Sequence, residues 1–343
     1  MMKAMALKEI TNLAHNRSPL ALVDLPVPVP KELEILVKVS VCGVCHTELD
    51  EIEGRTMPSR FPIIPGHQIV GRVEESGNKA DRFKKGERVG IAWIHSACGT
   101  CRFCRTGAEN LCDGFRSTGR DADGGYAEYT VVHEAFAFSI PEAFTDAEAA
   151  PLLCAGAIGY RSLRLANLQD GDSLGLTGFG ASAHLVLKMA RQLYPASRIY
   201  VFSRTGSEQA FARELGAVWA GDAAETAPER LQAIIDTTPA WKPVADALKN
   251  LGKGGRLVIN AIRKEEQDKD ALLGLDYARD LWMEKEIKSV ANVTRRDVEE
   301  FLALAAKLRI RPEVREYPLE EANTALLELK ERKIRGAKVL RIG

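Results

Sequence analysis

Apolar and polar residues alternate most regularly over residues 33–41, Leu-Glu-Ile-Leu-Val-Lys-Val-Ser-Val, which predicts a half-buried strand. Glycine, proline and charged residues punctuate the segments around it, so the first part of the chain reads as irregular β structure. A second strand is expected over 124–132, Gly-Gly-Tyr-Ala-Glu-Tyr-Thr-Val-Val. The pattern changes near Pro151. Short apolar runs over 173–177, 198–203, 218–220, 233–236, 256–261 and 286–290 read as six strands. Helical stretches separate most of them, including 181 to about 193 and 207–215. Such alternation predicts an α/β fold with a parallel, doubly wound sheet. After Asn292 the pattern is helical. Thr294 and Asp297 are spaced as a capping box, and Val298, Phe301, Leu302 and Ala305 form one apolar stripe. A second amphipathic helix is expected over 319–330 and a last strand over 338–342.

A chain of 343 residues suggests about two domains. Lys plus Arg and Asp plus Glu are equal, 47 each, so no net charge draws the chain to nucleic acid or to an anionic membrane. No apolar run is long enough to span a bilayer, and residues 1–10 lack the apolar core of a secretory signal. Seven cysteines without such a signal point to a reducing compartment, which makes the cytoplasm the expected location.

Four of those cysteines, Cys98, Cys101, Cys104 and Cys112, follow the spacing Cys-x2-Cys-x2-Cys-x7-Cys. Four thiolates on so short a loop can close a tetrahedral shell around one zinc ion, with no position left for water. Two disulfides are the alternative, but cysteines two residues apart are poorly placed to bridge each other. A closed shell performs no chemistry, so the activity lies elsewhere.

Gly178-Phe-Gly180-Ala-Ser-Ala183 fits Gly-x-Gly-x-x-Gly/Ala between an expected strand and an expected helix. Gly178 permits a sharp turn, Gly180 admits a pyrophosphate close to the backbone, and Ala183 keeps helix and strand close. At the end of the next strand, where NAD binding usually places an acid, the chain reads Phe202-Ser203-Arg204. Ser203 and Arg204 suit a 2′-phosphate, so NADP(H) is favoured. The alternative is a solvated Arg204 and NAD(H) binding.

Three more metal-ligating residues stand far apart: Cys45 in Gly-Val-Cys-His-Thr, His67 in Pro-Gly-His-Gln and Cys154 in Leu-Leu-Cys-Ala-Gly. Spacing alone does not unite them. Taken in order with the four-cysteine lobe, Gly-Gly-Tyr-Ala-Glu-Tyr and the Gly-x-Gly turn, however, these motifs give a resemblance. The chain resembles the zinc-dependent alcohol dehydrogenases of the medium-chain dehydrogenase/reductase superfamily over nearly its whole length. The resemblance implies a GroES-like, β-rich catalytic domain over 1–155 and 294–343. It implies a Rossmann domain with a six-stranded parallel sheet over 156–293. It also implies two zinc ions, a catalytic one on Cys45, His67 and Cys154 and a structural one on the four-cysteine lobe. Cys42 matches no ligand and is expected to pack.

The implied activity is reversible hydride transfer between a primary alcohol and NAD(P), with zinc as Lewis acid. Thr47 would accept the proton first, and Glu48 would orient His67. Asp50 stands where a histidine often ends the relay, and Gln68 replaces the usual glutamate of Pro-Gly-His-Glu. His46 is expected to contact the cofactor diphosphate. Trp93 reads equally as pocket lining or core. Ile52 and Thr56, at positions that carry tryptophans in some small-alcohol enzymes, suggest a roomier pocket for medium-chain or aromatic alcohols. His15, His95, His133 and His184 lack motif context and are expected to be structural or superficial. Relatives are dimers or tetramers, which makes a homo-oligomer the expectation. The rival readings are a binding protein that has lost catalysis, a zinc-free quinone reductase of the same superfamily, and a nucleic-acid-binding zinc ribbon. Intact Cys45, Thr47, His67 and Cys154, the presence of both ligand sets, and the balanced charge argue against them in turn.

Overall fold

The computed structural model describes residues 1–331 and 335–343. The chain divides into two compact units, Met1–Cys154 with Val293–Gly343, and Ala155–Asn292.

The second unit carries the expected parallel sheet. Its six strands lie in the order Trp219–Gly221, Arg198–Phe202, Ser173–Thr177, Leu231–Asp236, Leu251–Ile259, Glu286–Ser289. Every neighbouring pair is parallel, and numbered along the chain the order is 3-2-1-4-5-6, that of a Rossmann fold. Helices cover the central strands, so Leu174, Leu176, Val201, Ile234, Ile235, Leu257 and Val258 are almost wholly buried. The Leu251–Ile259 strand begins earlier than its apolar pattern suggests, because Leu251 packs inward although Gly252, Lys253 and Gly254 break the run. The Lys242–Asn250 helix has no strong sequence signal and depends on one apolar face, Val244, Ala247 and Leu248.

The first unit is built on a seven-stranded sheet around the long Glu34–Val44 strand. That strand pairs with Ile69–Ser76, Tyr129–His133 and Ala337–Arg341, all antiparallel. It runs past the expected end at residue 41 to Val44 and delivers Cys45 directly to the N-cap of the His46–Ile52 helix. The strand expected over 124–132 is only Tyr129–His133. Residues 124–126 instead hydrogen-bond to Ile64, Gly66 and Pro65 through their backbone N–H groups at 2.7, 2.9 and 3.0 Å. No side chain fits there: a Cβ on Gly124 would lie 2.1 Å from the Gly66 carbonyl oxygen. This strap fixes the Pro-Gly-His segment. The expected capping box is present, with Thr294 and Asp297 bonding reciprocally at the start of Arg295–Leu308. The helix expected over 319–330 opens as a 3-10 turn, Leu319–Glu321, before Ala322–Lys330. Among the described residues no helix is long and apolar enough to cross a membrane.

Candidate metal centres and nucleotide site

All seven cysteines are free thiols. The Sγ atoms of Cys98, Cys101, Cys104 and Cys112 lie within 4.8 Å of one another. Cys101 and Cys98 stand 3.6 and 3.9 Å from Cys104, far beyond a disulfide bond and suited to four thiolates around one ion. Backbone N–H groups of Thr100 and Cys101 point at Cys98 and hold its thiol down to about 6. A thiol so held is ready to ligate as thiolate.

The distant trio also meets. Ligand atoms of Cys45, His67 and Cys154 lie within 4.8 Å of one another, with His67 Nε2 3.2 Å from Cys154 Sγ. Cys154 sits in the π-helical turn Leu152–Gly156, directly after a helix that ends on Pro151. His67 follows Gly66, whose φ of +97° and crowding by the Tyr126 ring exclude any side chain. Glu48 joins the parts. Its Oε2 accepts from the Cys45 backbone N–H at 2.7 Å, and its Oε1 lies 2.6 Å from His67 Nδ1. That contact leaves Nε2 facing the thiols, the orientation a metal ligand needs. A hydrogen bond from Cys154, against the cost of burial, holds the Cys45 thiol well below its ordinary value. Burial works against charge on His67, but Glu48 and Cys45 raise its pKa well above the ordinary one. The set is therefore two thiols and one imidazole with a carboxylate behind them, which fits zinc with a position to spare. Thr47 Oγ1 stands 3.6 Å from Cys45 Sγ.

The other expected site residues fall into three groups. His46 is exposed at the start of its helix, Trp93 is half-buried against Phe115 at 5.2 Å, and Thr56 is half-buried. Ile52 has no exposed surface in this structure. Asp50 is held by Arg55 Nε at 2.6 Å. Of the residues expected to be structural, Cys42 and His184 are fully buried and His133 caps a short turn. His95 is pushed down to about 4, chiefly by burial. Gln68 is buried against Gly43.

In the second unit Gly178 has a φ of +79°, and Gly180 caps the Ala181–Leu193 helix with nothing within 4 Å of where a Cβ would stand. Ala183 is fully buried beneath them. This is an open, backbone-lined cradle at a helix N-terminus, the chemistry a diphosphate requires. Sequence reasoning missed its far wall. Lys264 forms a buried ion pair with Asp236 and donates to the carbonyls of Thr238 and Ala240 at 2.7 and 3.0 Å, pinning the loop beside Gly178. At the end of Arg198–Phe202, Arg204 is exposed and Ser203 is buried. Ser203 donates its hydroxyl to Glu208, so an acid does stand beside this strand end, delivered by the next helix. Its place five residues on, inside a helical pattern, hid it from the strand-end reading.

A β-rich unit with one closed and one open thiolate set, followed by a Rossmann sheet, defines a zinc-type dehydrogenase. Comparison with known proteins agrees. Residues 31–142 match the alcohol dehydrogenase GroES-like domain. The chain is 44% identical over 329 residues to the probable alcohol dehydrogenase AdhA of Mycobacterium tuberculosis, covering 94% of this chain and 93% of that protein. It is 31% identical to an alcohol dehydrogenase of Geobacillus stearothermophilus, over 95% and 96% of the two chains. Among solved structures, the cobalt- and zinc-bound thermostable alcohol dehydrogenase of Pyrobaculum aerophilum superposes with a TM-score of 0.87 at 25% identity, covering 99% of each chain. The Helicobacter pylori CAD complexed with NADP(H) shares the fold at a TM-score of 0.87 and 22% identity, over 99% of this chain and 97% of that one. The chain belongs to the zinc-dependent alcohol dehydrogenases of the medium-chain dehydrogenase/reductase superfamily, and is an NAD(P)-dependent oxidoreductase acting on a small-molecule alcohol.

Proposed function

We propose that the protein catalyses reversible hydride transfer between a medium-chain or aromatic primary alcohol and NADP(H), at a zinc held by Cys45, His67 and Cys154. The observation that carries this reading is the open three-ligand set, with Thr47 Oγ1 3.6 Å from one of its sulfurs. Zinc in this set supplies Lewis acidity, which lowers the pKa of an alcohol and polarises a carbonyl. The chain's own residues do the rest. Glu48 holds the His67 ring in its ligating orientation. Thr47 takes the substrate's hydroxyl proton and passes it outward. Asp50 is engaged by Arg55, so the proton leaves to water. The four-cysteine set holds a second, structural zinc.

Arg204 supports the preference for a 2′-phosphate, while Glu208 opposes it, so NAD(H) remains a usable cofactor. The Glu286–Ser289 edge strand is exposed along its whole length, with Ile287 at 45% and nearby Trp282 at 54%. Such an edge supports a homodimer or homotetramer. Seven free thiols support the cytoplasm as the location. The test is to assay alcohols and aldehydes with both cofactors before and after chelation. Activity that survives complete removal of zinc contradicts the reading.

A further inference from the structure

Helix His46–Ile52 puts Glu51 on the face of Thr47, four residues earlier, and Glu48, three earlier. Glu51 is 1% exposed, and neither of its carboxyl oxygens has a hydrogen-bond partner. Buried polar groups in native proteins are matched, so an unmatched carboxyl beside an active centre needs a reason. Other buried polar atoms of this unit are also unmatched, among them Thr56 Oγ1, Trp93 Nε1 and the Tyr126 hydroxyl. Hydrogen bonds and one ring contact tie the segments that carry Thr56 and Trp93 together. The Thr56 N–H donates to the carbonyl of Asp50 at 3.1 Å, and the Ser59 N–H to that of Arg120 at 3.1 Å. The Arg120 guanidinium stands over the Trp93 ring at 5.4 Å. Burial and the charges of Glu48 and Cys45 raise the pKa of Glu51 well above the ordinary value, and His67 and Arg120 act against them.

We propose that Glu51, Thr56, Trp93 and Arg120 form a polar subsite that binds a second hydroxyl group on the alcohol substrate. The proposal rests on the hydride-transfer reading above and names the substrate class more closely. A hydroxyl donates one hydrogen bond and accepts others. Glu51 accepts, while the Trp93 indole, the Thr56 hydroxyl and the Arg120 guanidinium donate. A plain alkyl or aryl tail leaves the Glu51, Thr56 and Trp93 atoms unmatched. A substrate carboxylate would meet Glu48, Glu51 and Cys45, and a substrate ammonium would meet Arg120. The neutral hydroxyl suits this mixture of charges, whether Glu51 is ionised or not. The Arg120 side chain, 25% exposed and paired with Asp121 at 2.8 Å, would turn from that partner to donate to the hydroxyl.

The experiment measures kcat/KM for a series of 1,2- to 1,6-diols against primary alcohols of the same length, with either cofactor, in the zinc-loaded enzyme. The wild type is expected to prefer at least one diol by about tenfold or more, since a site built to bond a hydroxyl rejects the analogue lacking it. In Glu51→Gln and Arg120→Met that ratio is expected to fall toward one through a higher diol KM, with zinc content and melting temperature checked alongside. If Glu51→Gln does not fold, Arg120→Met carries the comparison. Equal kcat/KM across every pair, or a ratio that both variants leave unchanged, overturns the subsite and leaves hydride transfer standing. Turnover of no alcohol with either cofactor overturns the underlying reading, and the subsite with it.

Discussion

Single residues decide what each site does. Glu48 touches both the Cys45 N–H and His67 Nδ1, so Glu48→Gln weakens the orientation of the imidazole. We expect zinc at this centre to bind about 10- to 100-fold more weakly, measured by competition with a chelator while the four-cysteine site stays loaded. Cofactor preference is also a residue matter. Glu208→Gln removes a negative charge next to Ser203 and is expected to raise the NADP-to-NAD ratio of kcat/KM. Arg204→Ala is expected to lower it by about tenfold, the loss of a charged phosphate partner. Identical ratios in all three proteins contradict this account of the strand end. The sequence made the ligands legible as residue types, and motif order united them. It did not reveal Glu51 or Glu208. Both sit on helices, where an acid normally faces water, and only the folded structure buries Glu51 and brings Glu208 to Ser203.

At the scale of elements, the parallel strands were legible because burial on both faces writes continuous apolar runs. The antiparallel unit was less so. Residues 124–126 fall within the expected strand, yet their N–H groups donate to the carbonyls of Ile64, Gly66 and Pro65, a long-range fit no local pattern encodes. That strap and Gly66 hold His67. Gly66→Ala must place a Cβ at φ +97° and 2.4 Å from the Tyr126 ring. We expect a loss of at least about 1 kcal/mol in chemical denaturation, together with reduced zinc at the Cys45 centre.

The parallel pair Val314–Pro318 and Ala337–Arg341 is locked differently. Lys338, 2% exposed, lies 2.5 Å from both Glu328 and the Tyr317 hydroxyl. Lys338 and Tyr317 together hold the Glu328 carboxyl down to about 2, from an ordinary 4.5. Because the folded value is the lower one, this stabilisation is present above pH 4.5 and is lost as the pH falls toward 2. Glu328→Gln should therefore destabilise the protein by about 2 kcal/mol in urea at pH 7, and by less at pH 3. A difference that does not depend on pH contradicts this account of the pair.

For the whole molecule, two thiolate sets of opposite character share one unit. A four-thiol lobe around one ion would leave no position for a substrate, so the most conspicuous motif need not be the catalytic one. On the proposed reading, the open set is where chemistry resides. The central claim is that turnover follows the Cys45, His67 and Cys154 ion and not the four-cysteine ion. The most direct measurement counts zinc per chain and alcohol oxidation in the same samples of wild type and Cys154→Ser. The account expects zinc to fall from two ions to one and kcat/KM to fall at least about a thousandfold, the worth of several kcal/mol of Lewis-acid stabilisation. Undiminished turnover in a protein that has kept only the four-cysteine zinc would contradict it.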